Sequence, residues 1–327
     1  MSGFKIEDYL IDYAQNEGIA STLCSYHKNF IGGVDSGVLP KAAMSVTTSM
    51  ICDGNINTFR HMEQKHQVES YVLDIPNTYS PEAERYVVGQ LQELIELLET
   101  KTGQKLDMNE LKAAIQRENE SKEYYKAFLK EQKHRYYPNT MTLDLYMLFA
   151  SHLNIGTRET LDFFKCLAED VKTYPEFNGK GILWVHLMPY YHETLQQYMN
   201  YQEKYYIQAC DLNLDYMEPL DAAHPLEALA KKMILNIYNG PYERKVEMIR
   251  HLVKEFQSDA VIHFCHWGCK QSSGGVMLLK EAMREENVPM LILDGDALDR
   301  RNSHDGQIKT RLQAFLELID NIEEDKN

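Results

Sequence analysis

The chain has 327 residues and a formal net charge of −15, with 44% hydrophobic and 25% charged residues. This composition is typical of a globular protein, and the length allows two domains with full cores. The negative charge argues against nucleic-acid binding, but a local basic pocket can still bind an anionic small molecule. No apolar run is long enough for a membrane helix, and residues 1–15 lack the features of a signal peptide. We therefore expect a cytoplasmic protein that binds neither nucleic acid nor a membrane.

Short apolar runs alternate with long segments of helical periodicity, which predicts an α/β fold with parallel sheets. In chain order, the predicted strands are Ala43–Ile51, Tyr71–Pro76, Ile182–Pro189, Ala260–Cys265 and Pro289–Asp294. The last two strands flank a predicted helix and form a βαβ unit. In such sheets, ligands bind at the carboxyl ends of the strands. We therefore expect functional residues where these strands end.

The helical segments suggest how the chain is divided. Helices are predicted around Val87–Leu98, from a cap at Asp107 or Asn109 to Lys133, through Val276–Glu286, over Ile308–Ile319 and around Cys210. The polar helix that ends near Lys133 is expected to lie on the surface between two α/β halves. A break at Thr173–Gly181 predicts an N-terminal domain, 1–172, with a helical excursion, and a C-terminal domain, 173–327.

Six cysteines in a cytoplasmic chain favour free thiols, metal ligands or catalytic groups over disulfides. Cys166 and Cys210 lie in segments where a small apolar residue would pack into the core. The other four lie at strand ends or in polar loops, and they are Cys24, Cys52, Cys265 and Cys269. They are either incidental thiols or a shared metal or cluster site, because thiolates bind iron–sulfur clusters, zinc and copper(I). For zinc, a fourth ligand would come from His27, His263 or His266.

Motifs of several common enzyme classes are missing from the sequence. The chain contains no G-x-S-x-G elbow, no Walker A loop and no G-x-G-x-x-G loop. A serine hydrolase, and ATP or NAD binding through the standard loops, are therefore disfavoured. The segment Ser272–Gly275 precedes a predicted helix, where it is either an anion-binding turn or a simple helix cap.

Five segments, in order, resemble the 2-hydroxyacyl-CoA dehydratase / benzoyl-CoA reductase family. They are LCSYHKNFIGG, TTSMICDGN, AVIHFCHWGCKQSSGG, VPMLILDGD and TRLQAFLELI. The resemblance implies two flavodoxin-like α/β domains with extra helices and a [4Fe-4S] cluster at the domain interface. Members usually carry a further segment with a Pro-Glu element before the first cysteine. We therefore expect a shortened subunit, a partner that supplies this segment, or a changed role.

The resemblance also implies the site residues. The three cluster cysteines correspond to Cys24, Cys52 and Cys269, with Cys265 as a neighbour, a fourth ligand or a ligand to a larger cluster. The polar residues implied around the cluster and the substrate are Ser25, His27, His263 and His266. Such a cluster leaves one iron open to the substrate.

The implied activity is the elimination of water from an (R)-2-hydroxyacyl-CoA to an enoyl-CoA through a ketyl radical. The enzyme would be a lyase that contains a second dehydratase-like subunit or a second copy of this chain. A separate ATP-dependent iron–sulfur activator would supply the electron. The alternatives are a related iron–sulfur reductase, of the benzoyl-CoA reductase or double-cluster type, and a non-catalytic partner subunit.

Overall fold

The computed structural model of the chain describes residues 6–324. The helices are α1 Glu7–Asn16, α2 Ser25–Asp35, α3 Asp53–His66, α4 Pro81–Thr102, α5 Met108–Gln132, α6 Met141–Leu148, α7 Arg158–Asp170, α8 Glu193–Met199, α9 Pro225–Leu235, α10 Tyr242–Phe256, α11 Lys270–Ser273, α12 Val276–Glu285 and α13 Asp305–Glu324. The strands are β1 Ser45–Thr48, β2 Ser70–Leu73, β3 Lys180–Val185, β4 Tyr205–Cys210, β5 Ala260–His266 and β6 Met290–Gly295.

The strands form two parallel sheets, which confirms the predicted α/β class. Strands β1 and β2 pair with each other, and the other four form a sheet in the order β4-β3-β5-β6. Because all strands of the larger sheet are parallel, their carboxyl ends lie at one edge. The loops that follow β3, β4, β5 and β6 therefore meet there.

Strand β4 corrects one prediction. The segment around Cys210 was expected to be helical, but it forms a strand in which all six residues are buried. A strand that is covered on both faces loses the alternation of apolar and polar residues. Its mostly apolar run, interrupted only by Gln208, therefore resembles a segment of a buried helix, and periodicity alone does not separate the two.

Helices cover both faces of the four-stranded sheet. Leu183, Val185 and Val261 point into a core formed with α5, α7, α10 and α12. Trp184 and Phe264 point to the opposite face, where α6, α8 and α13 complete a second core. This alternation follows from the period of two of a β-strand. It also determines which side of the sheet each polar residue at a strand end faces.

Helices from one part of the chain pack against sheets from the other. Helices α5 and α7, which precede residue 173, belong to the core of the four-stranded sheet. Conversely, Ala230 and Ile234 of α9 pack against Leu73 of β2 and Val87 of α4. Helix α5 is confirmed, with one buried face rather than a wholly solvated surface. The division at residue 173 stays a prediction.

Within residues 6–324, no helix combines the length and the apolar character that a membrane span requires.

Candidate functional site

Cys24 lies at the start of α2 and faces the end of strand β5. Its Sγ is 3.1 Å from Nε2 of His266. The other ring nitrogen of His266, Nδ1, accepts a hydrogen bond from the backbone N–H of Ala297 at 2.9 Å. In the neutral ring the proton is therefore on Nε2, which donates to the sulfur. Burial raises the pKa of the Cys24 thiol to about 11, although backbone N–H groups of α2 oppose this shift.

Cys52 lies at the start of α3 and faces the first turn of α2. Its Sγ is 3.6 Å from Nε2 of His27, whose Nδ1 is 2.9 Å from Oγ1 of Thr58. The contact needs a glycine at position 54, because a Cβ there would lie 2.6 Å from Nε2 of His27. The preceding residue, Ile51, has a φ of 73° and is the centre of a γ-turn closed by the N–H of Cys52. This backbone is strained for a β-branched residue, and such strain is concentrated at functional sites.

Cys269 lies in the loop after β5, next to Cys24. Gly268 has a φ of 77°, and a Cβ at this position would lie 2.8 Å from the backbone nitrogen of Cys24. Glycine therefore permits the close approach of the two loops that carry the cysteines. The Sγ of Cys269 is 3.6 Å from Nε2 of His186, a buried residue that follows β3.

Cys265 has different surroundings from the other three cysteines. Its thiol donates to the backbone oxygen of Ser272 at 3.6 Å rather than facing an imidazole. His263 lies two residues earlier on the same strand, and its Nε2 donates to the same oxygen at 2.6 Å. Burial raises the pKa of Cys265 to about 11, and burial together with Lys245 lowers the pKa of His263 to about 4. His263 is thus a neutral ring bonded to backbone.

Ser25 connects α2 to the loop that follows β6. Its hydroxyl donates to Oδ1 of Asp296 at 2.5 Å, and both side chains are buried. The same carboxylate oxygen accepts the backbone N–H groups of Leu298 and Asp299. The hydroxyl therefore helps to hold the loop that supplies Ala297 to His266. Lys28, in the same helix, is also buried and donates to a backbone oxygen.

The structure thus places three of the predicted cysteines in thiol–imidazole pairs, two at the carboxyl edge of the larger sheet and one after strand β1 of the smaller sheet. These pairs are Cys24–His266, Cys52–His27 and Cys269–His186. Burial lowers the pKa of all three histidines, so each ring is a neutral donor of one N–H. The sequence analysis did not name His186 as a site residue. The available signal was its position near the end of the predicted strand Ile182–Pro189, where functional residues were expected.

Among residues 6–324, no group of three or more His, Cys, Asp or Glu side chains is arranged to hold a single metal ion.

The sequence matches the family described as "2-hydroxyglutaryl-CoA dehydratase, D-component" over residues 1–319. The chain belongs to this dehydratase family. The resemblance of the five segments is thereby confirmed.

Named relatives of this dehydratase-family chain agree with that result. The (R)-phenyllactyl-CoA dehydratase alpha subunit of Clostridium sporogenes is 25% identical, and the match covers 95% of this chain and 80% of that protein. The lactoyl-CoA dehydratase subunit alpha of Anaerotignum propionicum is 21% identical, with 95% and 82% covered. A benzoyl-CoA reductase polypeptide of Thauera aromatica is 23% identical over 31% of this chain and 23% of its own length.

Proposed function

We propose that this chain is the iron–sulfur subunit of a dehydratase that removes water from an (R)-2-hydroxyacyl-CoA. Cys24, Cys52 and Cys269 are the proposed ligands of a [4Fe-4S] cluster, and Cys265 is a neighbour. The observation that supports the proposal is that three thiols, distant in sequence, each lie within 3.6 Å of an imidazole nitrogen, and that the loops carrying Cys24 and Cys269 approach closely at Gly268. Family membership and relatives named as alpha subunits of acyl-CoA dehydratases support it.

The residues present fit a cluster better than a single ion. Thiolates that hold a four-iron cluster bind different irons, so their sulfurs need not converge on one point. Two of the thiols also begin helices of more than two turns, where the helix dipole stabilises a thiolate. In the proposed arrangement, Cys24 and Cys52 come from the predicted N-terminal domain and Cys269 from the C-terminal one.

A cluster held by Cys24, Cys52 and Cys269 would supply reversible one-electron chemistry at the thioester carbonyl. With the substrate as a ketyl radical anion, the α-hydroxyl can leave as hydroxide and the β-proton becomes acidic, and the electron is recovered when the enoyl-CoA forms. Acid–base groups alone would have to act on a poor leaving group and a weakly acidic proton. The protein's part is to orient and to stabilise charge. His266 donates an N–H to the sulfur of Cys24, and Nε2 of His27 lies 3.6 Å from the sulfur of Cys52. Ser25 and His263 are proposed as polar neighbours of the cluster site that contact no ligand sulfur and instead bond to Asp296 and to the backbone of Ser272.

The proposed partners follow from the same assignment. The relatives are named as alpha subunits, which supports a second subunit, either a dehydratase-like chain or another copy of this one. An ATP-dependent iron–sulfur activator is the proposed electron source, as the family resemblance implies. The lack of standard nucleotide-binding loops in this sequence agrees with ATP being used elsewhere.

Metal and sulfide analysis of anaerobically purified protein tests the proposal. We expect about four iron and four sulfide ions per chain, the content of one [4Fe-4S] cluster. Zinc without sulfide would refute the assignment. A chain that binds neither metal would instead be a non-catalytic partner subunit.

The partial match to a benzoyl-CoA reductase polypeptide favours a reductase as the second candidate. Electron stoichiometry separates the two activities. A dehydratase returns its electron, so many enoyl-CoA molecules form per electron supplied, whereas a reductase consumes electrons in proportion to product. The measurement uses the complex with its partner subunit and activator, with product counted by chromatography against reductant consumed.

A further inference from the structure

His186 has a backbone conformation that redirects its side chain. Along β3, Trp184 and Val185 point to opposite faces of the sheet, so a regular strand would place His186 on the face of Trp184. Instead, His186 has a φ of 75°, and its ring lies 6.3 Å from that of His263, which pairs with Val185. The left-handed backbone therefore turns the imidazole to the opposite face, where Cys269 lies.

A buried polar network holds this strained backbone in place. The N–H of His186 donates to Oδ1 of Asp211 at 2.6 Å. The second oxygen, Oδ2, accepts the hydroxyl of Tyr238 at 2.7 Å and forms an ion pair with Lys245 at 3.0 Å. The carbonyl of His186 accepts the thiol of Cys210 at 3.7 Å. Both backbone polar groups of His186 are thus fixed by side chains that come from β4 or from the segment directly after it.

The buried ion pair in this network is expected to add little to the stability of the fold. The side chains of Asp211 and Lys245 are 0% and 1% exposed. Removing two charges from water offsets most of their attraction, so a buried ion pair is often no more stable than apolar residues of the same volume. What it supplies here is a carboxylate oxygen held rigidly against one amide. A left-handed residue that is not glycine persists only where its surroundings impose that conformation.

We propose that the Asp211–Tyr238–Lys245 network positions His186 so that its Nε2–H donates to the sulfur of Cys269. The inference rests on the proposed function, in which Cys269 holds a cluster. Nδ1 of His186 has no hydrogen-bond partner in the described part of the chain, so the proton is available to Nε2. His186 is then a residue that tunes the reduction potential, and the three network residues act through it.

Redox titration of the anaerobically purified protein, followed by electron paramagnetic resonance, tests this positioning role. A hydrogen bond to sulfur stabilises the more negative reduced cluster, so its loss lowers the midpoint potential. For His186→Asn, which tolerates the left-handed backbone, we expect roughly a tenfold lower ratio of reduced to oxidised cluster at a fixed potential, or 59 mV for one electron. Tyr238→Phe should shift the ratio the same way by a smaller factor.

A double variant shows whether Tyr238 changes the reduction potential through His186 or independently of it. If Tyr238 acts through His186, then the variant with both His186→Asn and Tyr238→Phe has the potential of His186→Asn alone. Tyr206→Phe is the matched control, because Tyr206 is buried on neighbouring β4 and its hydroxyl has no partner among the described residues. The control should keep the wild-type potential.

The outcomes distinguish this inference from the proposed function. Wild-type protein without iron and sulfide overturns both. If the wild type contains a cluster but Tyr238→Phe and His186→Asn keep the wild-type potential at full iron content, only the positioning role is overturned. Additive shifts in the double variant also overturn it. Tyr238→Phe removes a single hydroxyl, so the test does not depend on a variant that fails to fold.

Discussion

The cysteines of the site differ in what their sulfur atoms contact. Cys24, Cys52 and Cys269 face imidazole nitrogens, whereas Cys265 donates to a backbone oxygen. A thiol already bonded to backbone is a weaker candidate for a ligand, because binding iron would leave that oxygen without this donor. We therefore propose different roles for Cys265 and Cys269 although they are four residues apart.

Separate alanine variants test that difference. We expect Cys269→Ala to lose the cluster, because one of three thiolates is removed, and Cys265→Ala to keep it. Iron and sulfide content per chain, measured after anaerobic purification, decides the matter. Loss of iron in Cys265→Ala with retention in Cys269→Ala would reverse the assignment.

For individual residues, the sequence identified the candidate side chains but not the groups that contact them in the fold. Cys24, Cys52, His27 and His266 were named from the sequence, but which histidine faces which cysteine was not. Cys166 was expected to pack into the core, and it is exposed. The periodicity of α7 misassigned it because its neighbours Leu167 and Ala168 form the buried face. The role of His186 depends on a positive φ, which no sequence pattern signalled.

Helix α6 contains a buried carboxyl group away from the four cysteines of the candidate site. Asp144 is buried, and its Oδ2 accepts a hydrogen bond from Nδ2 of Asn139 at 3.0 Å. Burial raises the pKa of Asp144 to about 7, and this single hydrogen bond opposes the shift only in part. Tyr125 and Cys210 face it as neutral groups. The carboxyl is thus protonated in the folded protein under conditions where it is ionised in the unfolded chain.

Stability should therefore depend on pH through this helix. The folded pKa exceeds the unfolded value of 3.8, so Asp144 contributes most below pH 4, and the contribution is lost as pH rises through 7. The shift corresponds to roughly 4 kcal/mol of unfolding free energy. Asp144→Asn removes the titration. Urea unfolding from pH 4.5 to 8 should show the difference between the wild type and this variant changing with pH up to about 7 and levelling off above it. A difference that stays constant from pH 4.5 to 7 would refute the assignment.

Elements with clear periodicity were predicted correctly, whereas the fully buried strand β4 was not. The predicted strands Ala260–Cys265 and Pro289–Asp294 correspond to β5 and β6, and the cap at Asp107 starts α5. Strand β4 was missed because burial on both faces removes alternation. Asp211 follows β4 directly, so the same error hid the polar network behind His186.

The whole molecule is connected by helices that pack across the two sheets. Glu118 of α5 lies between Lys122 of the same helix and Lys232 of α9. Its Oε1 is 2.7 Å from the Nζ atom of each lysine. The two lysines keep the pKa of Glu118 below its ordinary value although burial opposes ionisation. Helix α9 in turn packs against α4 of the smaller sheet. The carboxylate thus connects α5 on the larger sheet to a helix that belongs to the smaller one.

Neutralising this carboxylate should destabilise the molecule. In Glu118→Gln, two lysine ammonium groups would remain largely buried without their partner, and we expect the unfolding free energy to fall by about 3 kcal/mol. Glu123→Gln is a matched control on the same helix, because Glu123 is exposed and pairs with Lys126 at the surface. Its effect should stay within about 0.5 kcal/mol. Equal effects in urea unfolding would contradict the buried role.

The sequence by itself determined the α/β class, the family and the cysteines at strand ends, because these depend on local periodicity and on motifs in linear order. Tertiary structure alone decided that His186 faces Cys269, that Asp211 fixes its backbone and that α9 packs against the smaller sheet. The two contacts of His186 depend on the strand order β4-β3-β5-β6 and on a few backbone angles. Such contacts join residues tens of positions apart, and no local pattern encodes them.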